Sequence, residues 1–120
     1  MFKTLFFIAF GGFLGATCRF LIINYLKGKW NKSFLPTIIV NISGSFILGV
    51  LAETVGSSSI YTFLGIGFLG AYTTFSTLVV EACKLYKLRR KKDCVIYLVA
   101  SFIGGIIFCL IGVLVGKLIH

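Results

Sequence analysis

Gly65-Ile66-Gly67-Phe68-Leu69-Gly70-Ala71-Tyr72-Thr73-Thr74-Phe75-Ser76-Thr77-Leu78 is the stretch that decides how this chain is built. It lies in an uncharged segment between Glu53 and Glu81, long enough to cross a membrane, yet its middle makes a poor helix. Three glycines fall within six residues, and a run of hydroxyls follows. Glycine costs about 1 kcal/mol relative to alanine in a helix, and threonine side chains compete for backbone hydrogen bonds. Inside hydrocarbon, non-helical backbone survives only where protein or a water-filled cavity satisfies it. The pattern therefore predicts a membrane helix broken at residues 70–73, with carbonyls exposed at mid-depth. Such carbonyls suit a small cation, and the N-terminus of the adjoining half-helix favours an anion.

Working outward, the chain is 58% hydrophobic and only 12% charged, and its charges are segregated. They fence off four stretches, residues 4–26 (interrupted by Arg19), 33–52, 54–80 and 94–116, each at least 20 residues long. That length crosses a hydrocarbon layer of about 30 Å. The expected architecture is a single all-α integral membrane domain over residues 1–120, with four transmembrane helices and the third broken. The first stretch lacks a clean small-x-small cleavage site and carries Arg19, so it reads as a retained helix rather than a signal peptide. Four short helices enclose little, which implies self-association or a partner chain.

The net charge of +9 sits in loops flanking the spans, an arrangement that speaks for membrane topology and against nucleic-acid binding. With four spans, Lys3 and Lys117 fall on one side. Lys27, Lys29, Lys32, Lys84, Lys87, Arg89, Arg90, Lys91 and Lys92 fall on the other, nine against two. The positive-inside rule predicts a multi-pass cell-membrane protein with loops 1 and 3 cytoplasmic and both termini outside.

The four cysteines form no Cys-x-x-Cys pair and read as free apolar thiols, and the one histidine is the last residue. No nucleophile elbow, phosphate loop or His-carboxylate pair is present, so the sequence does not read as an enzyme. Glu53, Glu81 and Asp93 are the only acids, and none is expected at mid-membrane.

The first helix is expected over residues 2–26, with Gly11 and Gly15 giving a close-packing face. Arg19 is either a snorkelling anchor or a buried cation that draws anions or braces the bundle. Trp30 reads as an interface anchor in the following loop. The second helix is expected over residues 36–54. There Asn41 either bonds a neighbouring helix or offers amide N–H groups to a passing anion. The second half of the third helix is expected over residues 74–88, with Phe75 and Leu78 sharing a face and Ser76 adding a hydroxyl. The fourth is expected over residues 93–118, with Tyr97 and Ser101 one turn apart and Gly104, Gly105, Gly112 and Gly116 forming another packing surface.

Three ordered motifs resemble those of the CrcB/Fluc fluoride channels: residues 11–19, Gly-Gly-Phe-Leu-Gly-Ala-Thr-Cys-Arg; residues 36–46, Pro-Thr-Ile-Ile-Val-Asn-Ile-Ser-Gly-Ser-Phe; and residues 70–77, Gly-Ala-Tyr-Thr-Thr-Phe-Ser-Thr. The resemblance implies an antiparallel dimer with a structural, non-transported sodium ion held by backbone carbonyls, which map to Gly70 and Thr73. It implies fluoride pathways in which Phe75 presents its ring edge and Asn41, Ser76, Arg19, Tyr97 and Ser101 supply polar positions. The implied function is passive fluoride export, which relieves toxicity after HF enters and ionises in the cytoplasm.

Two features depart from the family pattern. Leu78 and Val79 stand where a second phenylalanine and a serine are usual, and the charge bias disfavours insertion both ways. They raise a heterodimer with an oppositely oriented paralogue beside the homodimer, and a non-conducting or half-conducting subunit as an alternative. A small multidrug exporter is a further alternative, but its first-helix glutamate is missing here.

Overall fold

A computed structural model describes residues 1–29 and 34–120. Trp30 lies outside them. The chain is all-helical among these residues, and four spans are long and apolar enough to cross a membrane: Phe2–Lys29, Leu35–Thr54, Ser59–Lys87 and Lys91–Ile119.

Helix α1 is Phe2–Lys29 and ends on Lys27 and Lys29, cations that complement the C-terminal dipole. Helix α2 is Leu35–Thr54, with Pro36 in its first turn, where a missing N–H is harmless. Gly56, at φ 54°, turns the chain out of it. Helix α3, residues 59–72, starts on Ser58, whose hydroxyl accepts the Tyr61 amide at 3.2 Å. Helix α4 is Ser76–Lys87, and α5 is Lys91–Ile119. Arg89, at φ 60°, is the left-handed residue that lets the chain reverse between them. The Arg90–Asp93 ion pair at 2.7 Å is half-exposed, so screening leaves it little weight.

Glycine sets the packing. In a membrane the hydrophobic effect does not drive helices together, so close backbone approach and dispersion must. Gly15 of α1 lies against the Phe68 carbonyl of α3, where an added Cβ would stand 2.8 Å from the Phe68 carbonyl carbon. Gly49 of α2 lies on the Cys109 carbonyl of α5, and Gly112 of α5 lies on the Phe46 carbonyl of α2. The expected glycine faces of the first and fourth helices are therefore both used. One apolar cluster joins Ile23, Val40, Leu69 and Tyr72; a second joins Phe34, Leu78, Leu85 and Tyr97. Most other large apolar side chains, including Phe13, Phe102 and Leu114, are exposed, as lipid contact or a further chain requires.

The third span is broken, but not quite where the glycines suggested. Gly70 is helical, at φ −60° and ψ −34°, and the interruption falls at residues 73–75, where Thr73 is extended at ψ 157°. Thr62–Leu69, just before it, is wound as a π-helix rather than an α-helix. This wide winding carries Gly65 and Gly67 and faces Gly11 and Gly15 across the tightest crossing. Gly67 thus serves close approach to Ile8 and Gly11, and the hydroxyl residues after the glycines make the break. Phe75 and Leu78 both line one cleft, but they differ in exposure: Phe75 precedes the first helical residue of α4 and is 67% exposed, whereas Leu78 is 3% exposed.

Candidate ion site at the helix break

An α-helix bonds each N–H to the carbonyl four residues back. The last such rung of α3 is Thr73 N–H to Leu69 O, at 3.0 Å. The next rung is diverted: Thr74 N–H donates to Asn41 Oδ1 at 2.7 Å, and Asn41 Nδ2 donates back to the Thr74 carbonyl at 2.9 Å. Farther on, Thr77 N–H donates to Thr74 Oγ1 at 3.2 Å. The ladder resumes with Val79 N–H to Phe75 O at 3.0 Å. The two diverted amides, of Thr74 and Thr77, are those that would have bonded the carbonyls of Gly70 and Thr73. Those are the two carbonyls expected to hold a cation. Thr73 O accepts one long bond, from Arg19 Nη1 at 3.4 Å. This bond ties α1 to the break.

Asn41, Gly70, Thr73, Phe75 and Ser101 all line one cleft of about 290 Å³, with Leu78 on its wall. Ser76 is exposed beside it, its Oγ 3.3 Å from Thr74 Oγ1. Both ends of the Asn41 amide are engaged with Thr74, which leaves one amide N–H for anything else. Of the two readings for Asn41, the structure shows the bond to a neighbouring helix.

Tyr97 lies beyond Leu78. It is fully buried, its ring centroid 5.2 Å from that of Phe34. Two residues escaped the sequence reading. Glu81 turns inward and accepts a very short bond from the Thr37 hydroxyl. Glu81 marks the end of the apolar run, and its spacing of three from Leu78 was the available sign that it faces inward. Thr37 carried none beyond its place in the second motif.

Among the described residues, the buried polar side-chain atoms without a partner are Glu81 Oε2, Tyr97 Oη and Ser101 Oγ. Buried polar atoms are normally paired, so a cluster of orphans needs a reason. The two hydroxyls lie one turn apart on α5 and can donate to an anion. No group of three or more histidine, cysteine or acidic residues suited to a metal ion occurs among the described residues, and all four cysteines are free.

The profile of the family described as "CrcB-like protein, Camphor Resistance (CrcB)" matches residues 6–113. The chain is 44% identical over 111 residues to the fluoride-specific ion channel FluC 1 of Ligilactobacillus salivarius, covering 92% of this chain and 97% of that one. It is 40% identical over 111 residues to the fluoride-specific ion channel FluC 2 of Bacillus thuringiensis subsp. konkukian, covering 91% and 93%. It is 38% identical over 111 residues to the fluoride-specific ion channel FluC 1 of Geobacillus kaustophilus, covering 92% and 96%.

Proposed function

This chain belongs to the CrcB family, and on that premise we propose that it is a fluoride channel through which the anion leaves the cytoplasm passively. Fluoride is small and strongly hydrated. A pathway must replace its water with donors and ring edges without a fixed cation to trap it. The observation that carries the reading is the pair of buried, unpartnered hydroxyls, Tyr97 Oη and Ser101 Oγ, with Ser101 on the wall of the cleft that holds the helix break.

The carbonyls of Gly70 and Thr73 fit a structural sodium ion. They are neutral oxygens, released from their helical donors, and sodium is a hard cation that prefers such ligands. When bound, the ion supplies a fixed positive charge at the break and ties the half-helices together. One chain offers two of these carbonyls, so a second chain completes the ligand set. We place that second chain antiparallel, with loops 1 and 3 of the present chain in the cytoplasm.

A second reading is favoured by Leu78, which is buried against Phe34 and Tyr97 where a ring edge would otherwise meet the anion. In that reading the chain is a subunit with one weakened pathway, paired with an oppositely oriented paralogue. Purified protein in fluoride-loaded liposomes, alone and with the partner, tests both readings. Fluoride efflux above the protein-free rate, with no chloride efflux, is expected. Liposomes that stay tight in both arms would end the channel reading, and full activity from identical copies inserted both ways would end the paralogue.

A further inference from the structure

Asn41 lines the cleft and has the amide chemistry of an anion donor, yet its Oδ1 and one of its two Nδ2 hydrogens are engaged with the Thr74 backbone. We propose that Asn41 and Thr74 are positioning residues of the cation site: they hold two amides off the helical ladder and so keep the Gly70 and Thr73 carbonyls free. This proposal rests on the sodium reading given above.

The Asn41 amide behaves like one residue of a paired strand. It accepts from Thr74 N–H at 2.7 Å and donates to Thr74 O at 2.9 Å, both good hydrogen bonds. Its own position is fixed in α2, where the Ser45 hydroxyl donates to the Asn41 carbonyl at 2.8 Å. The Thr74 side chain is 7% exposed and repeats the device one step on. Its Oγ1 accepts Thr77 N–H at 3.2 Å and donates to Thr77 Oγ1 at 3.1 Å. Thr74 N–H and Thr77 N–H are the donors that a continuous helix would return to Gly70 O and Thr73 O. Without Asn41 or the Thr74 hydroxyl, each amide has one cheap alternative: to close the ladder and occupy the carbonyl. The break is therefore maintained by two side chains competing with the helix, and the one Asn41 amide N–H left over is not needed to maintain it.

The test follows the thermal unfolding midpoint of the purified assembly as sodium chloride replaces choline chloride. A bound cation raises the midpoint by mass action. Asn41→Ala and Thr74→Val are expected to shift the sodium concentration for half the rise upward by about tenfold, the size of one competing backbone hydrogen bond. Thr74→Ser keeps the hydroxyl and is expected to titrate within about twofold of the parent. If Asn41→Ala does not fold, the valine and serine variants at position 74 decide the matter between them. Parent-like sodium titration of Thr74→Val overturns the proposal, as does an Asn41→Ala protein that titrates normally but loses fluoride-over-chloride selectivity. A parent protein whose midpoint ignores sodium overturns the sodium reading itself, a result recognisable before any variant is made.

Discussion

Replacing Tyr97 by phenylalanine separates a structural role from a functional one. The ring is fully buried, packed against Phe34, Leu78 and Leu85, and its hydroxyl, which lies near Thr37 and Glu81, makes no hydrogen bond of standard geometry. Phenylalanine keeps the ring and removes only the oxygen. A buried hydroxyl without a hydrogen bond costs roughly 1–3 kcal/mol, so Tyr97→Phe should raise the stability of the protein by that order. A residue retained at such a cost needs a compensating use. If the hydroxyl donates to a passing anion, the lost bond is charge-assisted and worth about 1.5–3 kcal/mol. Taken at the slowest step, that lowers fluoride flux by roughly 10- to 100-fold. Both quantities are measurable on one preparation: the denaturation midpoint in detergent, and efflux from liposomes with a fluoride electrode. The expected variant is more stable and slower. A Tyr97→Phe protein that conducts like the parent would refute the pathway role. One that loses stability would show that the hydroxyl has a partner after all.

Gly15→Val drives a branched side chain into the Phe68 carbonyl of α3, and because that obstacle is backbone it cannot swing away. Overpacking of about 1–3 kcal/mol at a bundle crossing should appear as aggregation or a lower midpoint in size-exclusion and thermal assays, whereas Gly28→Val, with open space around it, should change neither. Phe75→Ala removes a ring that is 67% exposed on its own chain, so helical content by circular dichroism should hold while fluoride efflux falls; unchanged efflux would exclude Phe75 from the pathway. For orientation, single cysteines placed at Lys29 and Lys117 in a background lacking the native four should react with an impermeant thiol reagent from opposite sides of the membrane, position 117 from outside. Equal reaction of both positions from both sides would show that the charge bias does not fix the insertion.

The four spans were legible because hydrocarbon thickness leaves few other uses for uncharged runs of this length, and glycine spacing announced both tight crossings. The break was legible in kind but misplaced by about three residues. Gly70 suggested it through propensity, yet it keeps helical dihedrals with open space around it. What ends the helix is a competition between hydrogen bonds, won by Asn41, which lies 33 residues earlier in the chain. Nothing local to residues 70–76 encodes that partner. The π-winding over Thr62–Leu69 was equally silent, since it answers to the backbone of α1 rather than to its own side chains. Phe75 and Leu78 obey helical spacing only on the assumption that both are helical. The break begins α4 after Phe75, and the two side chains differ in burial although both reach the same cleft.

The position of the break also bears on the partner. Gly70 is exposed, and an added Cβ there would meet nothing within 4 Å; Phe75 and Ser76 beside it are exposed as well. Released carbonyls facing lipid would cost several kcal/mol each, so this side of the chain needs a cover. The span runs Ser59–Lys87, and the extended residue, Thr73, stands at its centre. Two chains related by a two-fold axis in the membrane plane bring their breaks to one depth only when the break lies at mid-span, so the central position suits an inverted companion. Identical copies satisfy that geometry, but nine cations against two oppose inserting the same chain both ways. In the paralogue reading proposed above, a companion with the reverse charge bias meets both conditions, and that reading requires the cation site to draw its oxygens from two different sequences.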